Sequence, residues 1–143
     1  GDELVLVVED EEELRRLAVR ALEERGYLVV AAAHGAEALA VTGSLERPVD
    51  LLVTDVVMPE MSGVELAEAL AGRWPSLAVL FMSGHLDEHA MARHPLDPDA
   101  DLLAKPFTPA QLGRRVRHAL DVAATRRNGR APAGELRARA TGS

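Results

Sequence analysis

Short apolar runs recur along the chain: "LVLVV" from Leu4, "YLVVAA" from Tyr27, "LLVT" from Leu51, "LAVLFM" from Leu77 and "LLA" from Leu102. They are continuous and not alternating, the pattern of strands covered on both faces of a sheet. Between the first two, Leu14, Leu17, Ala18, Ala21 and Leu22 fall at helical spacing, and Gly26 marks a stop. Ser62 with Glu65 makes a capping box ahead of "VELAEALAG". Thr108 with Gln111 makes another, with Pro109 at the first helical position and a stripe of Leu112, Val116, Ala119 and Leu120 behind it. The segment "HLDEHAMARHPLDPD" is the weakest expected helix, because Pro95 and Pro98 interrupt it. Strand and helix thus alternate five times, which predicts the α/β class: a doubly wound, five-stranded parallel sheet with five helices.

In such sheets ligands bind beyond the carboxyl ends of the strands. Those positions hold Glu9, Asp10 and Glu11 after the first strand and Asp55 after the third; Ser83 and Gly84 follow the fourth and Lys105 the fifth. Carboxylates packed together repel one another, and a cation relieves them. An all-oxygen set suits a hard dication, and an open site that keeps waters suits Mg²⁺ better than Ca²⁺. The lack of a nitrogen or sulfur ligand in the set argues against zinc. Beside a dication Asp55 stays ionised and is competent as a nucleophile toward phosphorus. Phosphoryl transfer needs positioning and charge neutralisation above all, and Lys105 and Ser83 offer an ammonium and a hydroxyl to the phosphoryl oxygens.

Each feature has a plainer reading. "EDEEE" at a helix start complements the helix dipole, Asp after a strand and Ser-Gly both favour turns, and Lys-Pro suits a loop. Their coincidence on one edge is what favours a site. Lys105 is the only lysine beside fifteen arginines, which an arginine-favouring composition also explains. A compact ammonium, however, leaves room for a donor molecule where a planar guanidinium would crowd it.

Length and composition narrow the class further. A chain of 143 residues is expected to form one domain, with a core of Leu, Val and Ala because only four residues are aromatic. The absence of cysteine excludes disulfides, thiol catalysis and cysteine-ligated zinc. No eighteen-residue apolar run or signal peptide is visible, so a soluble, cytoplasmic protein with no membrane partner is expected. Residues 1–121 carry 22 acids against 11 bases, a balance of −11, which argues against nucleic acid as the partner of the folded part. Residues 122–143 carry five Arg and one Glu, few large apolar side chains, and are expected to form a disordered basic tail or linker. The opening Gly, followed almost at once by a strand, suggests a piece of a longer chain.

The quoted segments "VLVVEDE", "DLLVTDVVMPEMSGVEL", "VLFMSG" and "LLAKPF", in this order and spacing, resemble the receiver domains of bacterial two-component signalling over roughly residues 3–121. The "FMSGH" and "KPFTPAQLGRRVRHALD" stretches are most similar to receivers at the carboxyl end of hybrid sensor histidine kinases. The resemblance implies a flavodoxin-like sheet of order 2-1-3-4-5. It makes Asp55 the phosphoacceptor, Glu9 and Asp10 the Mg²⁺-binding acids, and Asp55 and the backbone carbonyl of Val57 further ligands, with Mn²⁺ able to substitute. Ser83 becomes the switch hydroxyl and Lys105 the phosphoryl-neutralising ammonium, and the Lys105-Pro106 peptide is expected to be cis. The implied donor is the phosphohistidine of a histidine kinase or histidine phosphotransfer domain, the parent kinase in cis included. The phosphorylated domain would switch conformation or relay its phosphate.

Two positions depart from the family pattern. Leu102 stands where receivers usually carry a switch Tyr or Phe, so the ordinary aromatic switch is not expected. Val57 and His85 flank the pocket, and an apolar Val57 cannot orient hydrolytic water, which predicts a long-lived phosphoryl group.

Other chemistries fit less well. His85 and His89 are spaced i, i+4, with His94 nearby, but the HExxH pattern is absent and a solvated segment is expected. A phosphohydrolase using Asp55 as nucleophile would want a second Asp at position 57, which is Val. A nucleotide-binding module fits less well again, since Gly-rich phosphate loops are absent and the only lysine precedes proline, which rules out a Walker A sequence.

Overall fold

A computed structural model describes residues 2–84 and 100–130, with side chains described through residue 126. Five strands, β1 (Leu4–Val8), β2 (Leu28–Ala32), β3 (Leu51–Asp55), β4 (Ala78–Ser83) and β5 (Asp101–Ala104), form one sheet. Four helices are present among the described residues: α1 (Glu12–Glu23), α2 (Gly35–Gly43), α3 (Gly63–Arg73) and α4 (Pro109–Arg130). The expected fifth, proline-cut helix, with His85, His89 and His94, lies outside the described residues.

All strand pairs are parallel, in the order β2-β1-β3-β4-β5. Alternate residues of each apolar run face opposite layers. Val5 and Val7 join Ala18, Ala21 and Leu22 of α1 and Leu112 and Val116 of α4 in one core. Leu4, Leu6 and Val8 join Ala38 of α2 and Leu66 and Leu70 of α3 in the other. Two cores need apolar residues at every strand position, and this is why the runs are continuous. The inner strands β1 and β3 are buried throughout. Edge position leaves β2 less covered than the run suggests, with Leu28 49% exposed. Leu17, counted in the apolar stripe of α1, is also exposed, because α1 buries Ala18, Ala21 and Leu22 instead.

Both capping boxes form. The Ser62 hydroxyl accepts from the Glu65 N–H while the Glu65 carboxylate accepts from the Ser62 N–H. Thr108 and Gln111 make the same exchange at the start of α4. Gly26, at φ 92°, turns the chain from α1 into β2. The helix α4 continues to Arg130, past the end expected at residue 121.

Candidate functional site

The register carries the predicted residues to one edge. Val8 pairs with Thr54, Asp55 with Met82, and Ser83 with Ala104, so Glu9, Asp55, Ser83 and Lys105 follow one another across the carboxyl ends of β1, β3, β4 and β5. Backbone hydrogen bonds extend the ladder into the loops. The Glu9 N–H donates to the Ala32 carbonyl (3.1 Å), Val56 N–H to Met82 (3.0 Å) and Lys105 N–H to Ser83 (2.8 Å). The Lys105-Pro106 peptide is cis.

At the centre one ammonium serves two carboxylates. Lys105 Nζ lies 2.6 Å from Asp55 Oδ1 and 2.8 Å from Glu9 Oε1. Both acids are buried, while Asp10 is exposed at the mouth. Carboxylate oxygens of Glu9, Asp10 and Asp55 all lie within 4.8 Å of one another. Glu9 Oε1 and Asp55 Oδ1 are buried and accept no aligned hydrogen bond, and the Lys105 ammonium is the positive charge that faces them.

The electrostatics show how incompletely that charge compensates them. Burial, opposed by Lys105 and reinforced by the charge of Glu9, pushes the Asp55 carboxyl up to about 7. Glu9 is also penalised by burial, but Lys105 and the Glu11 N–H outweigh it and hold this carboxyl below its ordinary range. Burial likewise opposes the charge of Lys105, and the two acids more than offset it and raise the ammonium. With both carboxyls ionised the buried trio would carry one excess negative charge, which the raised Asp55 resists unless a further cation is supplied. Oxygen donors without hydrogen-bond partners, a negative excess and an exposed third acid fit a hard dication.

The remaining predicted residues lie on the strands and the loop next to this centre. Ser83 ends β4, half-buried, in register with Ala104, the residue before Lys105. Leu102 is half-buried, in register with Phe81, and packs against the α2/α3 core. The Val57 side chain is 42% exposed and lines a cleft of about 380 Å³ together with Met58, Glu60 and Val64.

Three residues that set this geometry carried no assigned role in the sequence reading. Glu60 turns the β3–α3 loop with a left-handed backbone, φ 70°. Gly63 then brings α3 directly over the end of β3, its N–H donating to the Val56 carbonyl at 2.8 Å. The buried Thr54 hydroxyl donates to the Asp55 carbonyl at 3.1 Å, fixing the peptide that carries the central acid. The glycine three residues after Met-Pro-Glu is the one signal that marks the close approach.

Comparisons with known proteins agree with this geometry. Over 121 residues the chain is 41% identical to a Brucella abortus protein described as Sensor kinase CckA, covering 85% of this chain but 13% of that protein. It is 39% identical over 109 residues to the response regulator receiver protein CpdR of the same organism, covering 72% of this chain and 84% of that one. Among solved structures, the receiver domain of the hybrid histidine kinase CckA matches with a TM-score of 0.68 at 32% identity, over 82% of this chain and 98% of that one. A receiver domain protein from Clostridium thermocellum matches with the same TM-score at 27% identity, over 83% and 94%. Residues 5–117 match the family model described as the response regulator receiver domain. With its parallel sheet, its acidic edge and its single lysine in register, the chain belongs to the receiver domain family of two-component signalling.

Proposed function

We propose that Asp55 is the phosphoacceptor of this receiver and that Lys105 and an acid-bound Mg²⁺ neutralise the phosphoryl group it takes up. The observation that carries the reading is the 2.6 Å contact between Lys105 Nζ and a buried Asp55 oxygen, beside two further carboxylates. The dication, held by Glu9, Asp10, Asp55 and the Val57 carbonyl, with Mn²⁺ as a substitute, would supply the missing positive charge and draw charge from the phosphoryl oxygens.

The chain's own residues do the rest. An Asp55 oxygen attacks phosphorus, the phosphorus–nitrogen bond of a phosphohistidine breaks, and the imidazole leaves with the bonding electrons, giving an acyl phosphate. Lys105 then exchanges its carboxylate contact for a phosphoryl oxygen, and Ser83 donates its hydroxyl to another. Displacement of Lys105 and Ser83 loads the β4 and β5 ends, where Leu102 sits, so the signal leaves through repacking at that edge.

The donor is a histidine kinase or histidine phosphotransfer domain. Similarity to Sensor kinase CckA supports a parent kinase in cis. Residues 1–121 would then form the receiver and 122–143 a tail or linker, with α4 running on past that point. No helix among the described residues is long and apolar enough to cross a membrane, and a cytoplasmic setting suits a phosphohistidine donor. A phosphohydrolase reading is not favoured, since Val57 offers no second acid.

The test is intact mass after incubation with acetyl phosphate. One phosphoryl group is expected with Mg²⁺ and none with EDTA; continuous turnover without a phosphorylated species would contradict the proposal.

A further inference from the structure

Sulfur chemistry in this chain belongs to methionine alone, since it has four methionines and no cysteine. Met58 and Met82 are buried, and the Met58 sulfur accepts the Thr54 hydroxyl at 3.8 Å. Met61 is half-buried and is the one methionine among the described residues that is not fully enclosed. It lies on the β3–α3 loop, six residues after Asp55 and directly before Ser62, which caps α3. Its side chain lies flat against the start of α2: a Cβ built on Gly35 would be 2.7 Å from Met61 Sδ and 3.2 Å from its Cγ. No hydrogen bond joins residues 56–62 to α2 among the described residues, so this apolar seat, packed on the α2/α3 core, holds the outer end of the loop. Gly63, against the Asp55 carbonyl, holds the inner end.

We infer that Met61 is an oxidation site: conversion of its thioether to the sulfoxide unseats the β3–α3 loop from α2 and slows phosphoryl uptake. The effect on uptake rests on the reading of Asp55 as phosphoacceptor; the oxidation and the unseating do not. The oxidant is a hydroperoxide. Its terminal oxygen bonds to the Met61 sulfur lone pair as the O–O bond breaks. The other oxygen leaves with the bonding electrons and collects the proton of the transferred hydroxyl, departing as water or an alcohol. Sulfur is oxidised by two electrons and the peroxide is reduced by two. The added oxygen is a strong acceptor in a seat built for an apolar chain. Against Gly35 not even a Cβ fits, so the oxidised side chain must turn outward to water. The loop then loses its outer hold, and Val57 and the peptide that follows Asp55 lose their fixed position with it.

Hydrogen peroxide treatment with peptide mass mapping tests this, in a Met91→Leu background because Met91 lies outside the described residues. Met61 should gain one oxygen at least about tenfold faster than Met58 and Met82. In the Met61-oxidised protein the Gly63 N–H should exchange with solvent about tenfold faster. Labelling by acetyl phosphate at saturating Mg²⁺ should slow by about threefold to tenfold. Methionine sulfoxide reductase should restore both values. Met61→Leu keeps an apolar seat and should keep both values through the same treatment. Met61→Gln, polar and of similar length, should show the oxidised values without any oxidant. Oxidation of Met58 or Met82 as fast as Met61 would overturn the inference. So would a Met61 sulfoxide that leaves the Gly63 exchange unchanged, or that leaves the labelling rate unchanged in protein that takes label. Protein that takes no label before oxidation, yet shows the faster Gly63 exchange after it, would count against the phosphoacceptor reading and not against the oxidation site.

Discussion

Gly63 and Asp55 meet backbone to backbone: a Cβ built on Gly63 would lie 1.9 Å from the Asp55 carbonyl oxygen. That oxygen belongs to a peptide already fixed by β3 and by the Thr54 hydroxyl, so it cannot retreat. Gly63→Ala should therefore destabilise the domain by about 2–4 kcal/mol in urea unfolding and slow phosphoryl uptake, because α3 must lift off the strand end. Gly72→Ala, on the same helix with open space around it, is the control and should change little.

The protonation of Asp55 gives stability a definite pH dependence without metal. Its carboxyl titrates near 7 in the folded domain against an ordinary 3.8, so between these values the folded state binds more protons than the unfolded chain. Stability contributed by this group consequently falls as pH rises through that window. Glu9, held low, acts in the opposite sense and loses its contribution only on acidification below the ordinary carboxylate range. In EDTA, Asp55→Asn should be more stable than wild type by about 1–2 kcal/mol at pH 8, with the gap closing toward pH 5. Saturating Mg²⁺ should stabilise the wild type and have far less effect on the variant.

Removing the ammonium leaves two buried carboxylates facing one another. Lys105→Met should cost about 2–3 kcal/mol at pH 8 and less at pH 5, where Asp55 is protonated. Lys105→Arg restores the charge, but a planar fork does not fit between oxygens 2.6 and 2.8 Å from a single nitrogen. Its folding stability should recover while its rate of labelling by acetyl phosphate stays about tenfold or more below wild type.

How much of this was legible in the sequence differs from residue to residue. The strand ends could be read because a doubly covered parallel sheet forces continuous apolar runs, and their last residues then share an edge. Glu9 and Lys105 are far apart in the chain, yet both follow such a run. What lay beyond reach was the balance of contacts at that edge. Residue types cannot say that Glu9 is buried and turned to Lys105 while Asp10 is exposed, since both are acids at adjacent positions. The exposure of Leu28 follows from the edge position of β2, which the apolar run itself does not show although the family resemblance carried the strand order. The continuation of α4 escaped a reading based on apolar content, since the segment after residue 121 has Ala and Arg, good helix formers that bury little.

Val57 bears on the lifetime of the modified state. Two residues after Asp55, its apolar side chain is exposed and offers no hydrogen bond to an attacking water. In Mg²⁺ buffer the phosphoryl group should be lost slowly, and Val57→Asn should shorten its half-life by about threefold to tenfold, read as the decay of labelled protein after the donor is removed.

Reductive trapping locates the modification directly. Protein labelled in Mg²⁺ by a phosphohistidine donor and treated with borohydride would carry homoserine in place of the phosphorylated aspartate, and peptide sequencing identifies the position. The predicted result is homoserine at 55 in the wild type and none anywhere in Asp55→Asn. Homoserine at position 10 or 50, or undiminished label in the variant, would contradict the account.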